Sequence, residues 1–173
     1  MFRKACLGML VCCLAASTSF AQAPPRPGPE HEKLKALVGT WDAVMKMQGQ
    51  EMKATAVYKS CCGGMWLEST FQGDFAGMPF EGRGLDGYDQ NKKKYVSVWV
   101  DSWTSTPMQL EGNFDPESKL LVMTGEARGD QGTLEKVKTT TEYKDKDHMI
   151  FRFYMVESGQ NQEAFTIEYS RRK

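Results

Sequence analysis

Asp101 stands between Trp99 and Trp103 at alternate positions, so an extended chain sets one carboxylate between two indoles on a single face. A carboxylate drawn out of water among aromatics has its proton affinity raised and can serve acid–base chemistry. Glu68, in the strand that opens with Met65-Trp66, is a second candidate acid. Arg83, between Gly82 and Gly84, is the nearest basic counterpart in the pattern. The structural reading is the stronger one: Asp101 pairs with Arg83 or caps a turn. Serine and threonine are plentiful but no nucleophile elbow surrounds them, and no glycine loop has the form of a phosphate cradle. No catalytic residue is assigned.

Sulfur and imidazole come next. Met45 and Met47 share a strand face, and soft thioethers suit Cu(I), with Met52, Cys61 or Cys62 as further donors. Methionine also fills irregular apolar cores, which is the reading adopted. His148 follows Lys144-Asp145-Lys146-Asp147 and is expected at a solvent-facing turn edge. His31, between Glu30 and Glu32, is expected on a helix surface. Two distant histidines make no zinc site. Neither metal nor cofactor is expected.

These residues must be positioned by something, and the period of the chain says what. Residues 30–38 carry Leu34, Leu37 and Val38 on one helical face, with acids leading and Gly39 closing. From Trp41 the period falls to two: Trp41, Ala43, Met45 and Met47 alternate with polar residues, then Gly49-Gln50 turns the chain into 52–59. Further strands are expected over 65–75, 80–88, 95–103, 108–114, 119–125, 133–143, 149–156 and 164–171, separated by polar turns. Gly82, Gly84 and Gly87 recur within one of them, marking bends or close approach. About ten consecutive antiparallel strands with no helix between them predict an all-β up-and-down meander that closes into a barrel and so removes its exposed edges. Two strands, 95–103 and 149–156, carry large residues on both faces, and the pattern leaves open which face lines the interior.

Residues 1–21 read as a secretion signal: Arg3 and Lys4, an apolar run from Ala5 to Phe20, then small residues. Cleavage is expected after Ala21 rather than Ala23, because Pro24 would sit just past the second bond. Lipid attachment at Cys12 or Cys13 lacks the small residue it needs in Leu10-Val11. The apolar run is too short, and too soon followed by prolines, to span a membrane. Residues 22–29 form a proline-rich leader, and 30–173 a single domain. Without its signal the chain has 152 residues, with 20 Lys+Arg against 22 Asp+Glu, a net charge of −2. Its basic residues are scattered, which speaks against nucleic acid and anionic membrane surfaces. An exported, periplasmic or secreted, protein follows. Cys61 and Cys62 remain as neighbours, leaving open free thiols, a vicinal disulfide, an intermolecular bridge or metal ligation.

Gly39-Thr40-Trp41 after a short helix, a strand ladder, and arginine near the end resemble the calycin superfamily of lipocalin-like barrels. There an early Trp plugs one end and stacks on a late Arg, which casts Trp41 with Arg171 or Arg172 in the closure. The segments HEKLKALVGT (31–40), GMPFEGRG (77–84), Gly87-Tyr88-Asp89 with 92–95, and IEYSRRK (167–173) are similar to the bacterial family known as domain of unknown function 1579. That resemblance implies a secreted or periplasmic calycin-like barrel with no established activity. Heme-binding nitrobindin barrels are more distant in shape, and their heme needs an inward strand histidine.

The function expected is binding of a small apolar or amphipathic molecule, lined by Tyr58, Trp66, Arg83, Trp99, Asp101, Trp103, Met108 and Tyr154. A solid-cored barrel acting through its surface in a cell-envelope assembly is the alternative. An isomerase or hydrolase using Asp101 or Glu68 is the third.

Overall fold

A computed structural model describes residues 24–75, 77–129 and 132–173. The expected secretion signal and its expected cleavage site lie outside the described residues. One helix, α1 (Pro29–Lys35), precedes β1 (Gly39–Met47), β2 (Gln50–Cys61), β3 (Trp66–Phe75), β4 (Met78–Asp89) and β5 (Lys94–Asp101). The chain continues through β6 (Thr104–Asp115), β7 (Leu120–Arg128), β8 (Leu134–Tyr143), β9 (His148–Glu157) and β10 (Gln160–Arg171). Each strand pairs antiparallel with the next, and β1 pairs with β10 from Trp41↔Arg171 to Lys46↔Thr166, so the sheet closes. Among the described residues no helix is long and apolar enough to cross a membrane.

The helix begins with Pro29, has Glu30 and Glu32 in its first turn, and ends on Lys33 and Lys35, all in keeping with its dipole. It stops short of the expected Val38. Leu37 and Val38 instead make tight turns onto Leu34 and Lys35, and Val38 is exposed. His31, expected on the surface, is buried beside Leu34. The Gly28 amide at the helix start needs an acceptor, and His31 Nδ1 supplies it at 2.9 Å. Nε2 therefore carries the proton, and it has no partner among the described residues.

α1 lies against β3 and β4 and plugs one end of the barrel. Trp41 is 1% exposed, and its indole N–H donates to Leu37 O at 2.9 Å. The Arg171 guanidinium stacks 4.2 Å from the Trp41 ring centroid and donates to Ala36 O, Val38 O and Lys146 O. One arginine thus ties together the helix exit, β1, β10 and the β8–β9 turn. Arg172 faces the other way and pairs with Asp42.

Register decides which residues enter the interior. Leu67, Ser69, Phe71 and Phe75 of β3 point inward, as do Ala43 of β1, Ala56 of β2 and Val137 of β8. Two packed walls result, one around Leu67, Leu110, Met123, Val137 and Phe153, the other around Trp41, Phe71, Met149, Ile167 and Tyr169. Tyr58, Tyr143, Phe151 and Phe165 touch both. Glycines on β4 make room on alternate sides. A Cβ at Gly82 would lie 2.1 Å from the Trp99 ring inside the barrel, and one at Gly87 would lie 2.5 Å from the Trp66 ring outside it. The recurring glycines are seats for two indoles.

Candidate functional site

Because the strands form a meander, the β2–β3, β4–β5, β6–β7 and β8–β9 turns surround the plug, and the other five hairpins surround the opposite mouth. At the mouth, Phe75, Phe80 and Trp103 pack ring against ring, with centroids 4.8–5.4 Å apart. Below them lie Trp99, Phe71, Phe151, Phe153 and Phe165, the last two stacked at 5.0 Å. The floor is different in chemistry.

Asp86 forms that floor. β4 runs without a bulge past it, pairing Asp86 with Leu67 on one side and Ser97 on the other. Inward parity shared with Gly82, Gly84 and Tyr88 sends its carboxyl into the barrel, one step inward from the plug, where Tyr88 and Tyr95 pack at 5.1 Å and His31 meets Tyr88 edge-on. Burial raises the Asp86 pKa from 3.8 to about 6, and the Ser97 hydroxyl partly offsets the rise. Tyr58, Tyr143 and Tyr169 lie close enough to feel its charge. Burial first, and Asp86 in addition, push all three phenols well above their ordinary value. They stay protonated and can give or accept hydrogen bonds. Among the described residues no ion pair engages Asp86.

The residues expected to line a cavity divide by face. Tyr58, Trp99 and Met108 point inward. Trp103 is 52% exposed and sits on the rim. Asp101 accepts from the Trp99 indole at 3.0 Å and from the Trp103 and Thr104 amides at 2.9 and 3.0 Å, so it holds the β5–β6 turn and aims the indole. Trp66, Arg83 and Tyr154 lie on the outer face. Trp66 covers Gly87, Arg83 pairs with Glu81 and Glu68, and Lys138 sits over the Tyr154 ring. Glu68 is accordingly outside as well. Arg83 does not pair with Asp101.

Met45 and Met52 are cross-strand partners near the mouth, whereas Cys61 and Cys62 are free thiols at the plugged end, so the sulfurs form two separate groups. Among the described residues no His, Cys, Asp and Glu cluster could hold a metal. His148 bonds to Asp145 at 2.9 Å in an exposed turn, and His31 caps the helix, so neither is an inward strand histidine of the kind a nitrobindin heme requires. Sequence reasoning missed Asp86, Tyr143 and Tyr169. Asp86 had a signal: Glu81, Arg83 and Leu85 fall on the opposite parity, which puts the carboxylate on the Tyr88 face.

The fold resembles the crystal structure of Rv2717c from M. tuberculosis, with 16% identity, 84% of this chain and 99% of that one covered, and a TM-score of 0.60. A redesigned beta barrel aligns with 15% identity, over 81% of this chain and 95% of its own, at a TM-score of 0.44. No curated protein is significantly similar. The profile of the family described as "Protein of unknown function (DUF1579)" matches residues 26–171, and this chain, a closed ten-strand antiparallel barrel, belongs to that family.

Proposed function

We propose that this is an exported binding protein whose barrel holds one small apolar or amphipathic molecule between the aromatic mouth and the Asp86 floor. The observation that carries the reading is incomplete burial on the inward face. Tyr58, Asp86, Ser97, Trp99, Tyr143 and Phe151 all point inward, yet each stays half-buried. Solidly packed interiors leave few such surfaces, and a ligand site combines apolar walls with a few convergent polar groups. Native and denaturing mass spectra of the protein from its own exported fraction test this. Non-covalent mass lost on denaturation supports it, and a mature chain beginning at Gln22 supports export. A clean apo mass together with no uptake of an apolar dye would sink it.

One observation favours the surface-acting alternative. Leu85, Val98 and Val100 are 38%, 39% and 46% exposed on the outer face of β4 and β5, with Leu85 and Val98 directly paired. Sedimentation of the purified protein over a wide concentration range tests for self-association, and a monomer throughout counts against that form of the alternative.

A further inference from the structure

The inward face carries one sign of charge. Asp86 stands at the floor, and Glu135 and Asp101 share the inward parity of β8 and β5 toward the mouth. Among the described residues, the inward positions of the strands hold no lysine, and their single arginine, Arg171, is committed to the plug. Asp101 is occupied by the indole and two amides. Asp86 keeps only the Ser97 hydroxyl and the surrounding phenols. A buried carboxylate without a counter-charge is costly, and a positively charged or hydrogen-donating group brought to it recovers much of that cost. A fatty acid placed in the same shaft would set two carboxylates against each other.

We infer that the lumen selects an amphiphile with a cationic nitrogen head, a protonated long-chain amine being the simplest member of the class, with Asp86 as its counter-ion and the aromatic shaft as the seat of its apolar chain. This rests on the cavity proposed above. The head would descend to Asp86, with the hydroxyls of Tyr58, Tyr143 and Tyr169 as further partners for its N–H groups, and the tail would run back past Phe151 and Trp99 to the mouth. The groups facing Asp86 are Leu67 from β3, Ser97 from β5, Tyr58 from β2, Tyr143 from β8 and Tyr169 from β10. None of these is basic, and Asp86 is the group among them that titrates near neutrality.

The test uses Nile red, a neutral apolar dye, displaced by dodecylamine, dodecanol or dodecanoate below their micelle-forming concentrations. At about pH 8 the amine should displace the dye at roughly tenfold lower concentration than the alcohol, the size of a charge-assisted contact, and dodecanoate should be weakest. In Asp86→Asn the amine and the alcohol should become equal as displacers. In the unsubstituted protein the amine's advantage should shrink as the pH falls to about 5, where Asp86 gains its proton. That arm stands even if the variant fails to fold. An amine no better than the alcohol, or a preference that survives Asp86→Asn, overturns the inference while leaving the cavity intact. No Nile red uptake at all overturns both.

Discussion

Asp86 has a consequence for stability that is separate from binding. Its folded-state pKa of about 6 exceeds its ordinary 3.8, so the folded chain holds the proton more tightly than the unfolded one. Stability therefore rises as pH falls from about 6 toward 4 and is lost as pH climbs back through 6. Asp86→Asn should stabilise the protein at pH 7.5 by about 1–2 kcal/mol, less than the full shift implies because the site keeps some contact with water. The gain should disappear below about pH 4, which urea unfolding at the two pH values would check. The thiols give a second expectation. Cys62 is exposed, whereas Cys61 is half-buried and its pKa is raised by burial and by bonding to Cys62. Two equivalents of an alkylating reagent should label the native protein, Cys62 several-fold faster than Cys61, as peptide mapping would show. At this scale the sequence was only partly legible. Parity placed Trp99 and Asp101 together, but nothing local said that three tyrosines from β2, β8 and β10 converge on Asp86, since that convergence depends on closing the sheet.

At the scale of elements, the plug and the β4 glycines carry the argument. Trp41→Ala should cost about 3–5 kcal/mol, as for other fully buried large aromatics. Arg171→Met should cost less than that, and it should free α1 first, detectable as faster hydrogen exchange at the Leu37 amide and the Trp41 indole N–H than at the strand amides. Gly82→Val would drive its side chain into the Trp99 ring. A loss of about 1–3 kcal/mol is expected, with a red shift of tryptophan emission as the indole leaves its seat. The strands were legible because period two is a local property, and all ten are present, although β5 stops at Asp101 rather than Trp103 because the Asp101 carboxylate takes up the Trp103 and Thr104 amides and turns the chain. The helix was less so. Its early end and buried His31 follow from a cap bond between Gly28 and His31 and from Leu37 serving Trp41, neither of which is a matter of periodicity.

Across the whole molecule the two ends differ. The plugged end presents the polar turns Asp89–Lys94, Asp115–Ser118 and Lys144–Asp147, while the mouth presents Met78, Trp103 and Leu134 at 57%, 52% and 60% exposure. Closure itself could be read from the uninterrupted ladder of strands, because ten antiparallel strands in succession leave edges that only each other can satisfy. Which end opens could not, since it depends on where α1 comes to rest.

An even number of strands in a meander also brings the chain in and out at one pole. The Gln90 side chain donates to Arg26 O and a Cβ at Gly64 would meet Pro27 beside the plug, and the Arg172 amide bonds back to Thr40 O there. Held by either end at a surface or a bulky fusion, the barrel would stand on its plugged pole and turn the rim of Phe75, Phe80 and Trp103 away from the attachment.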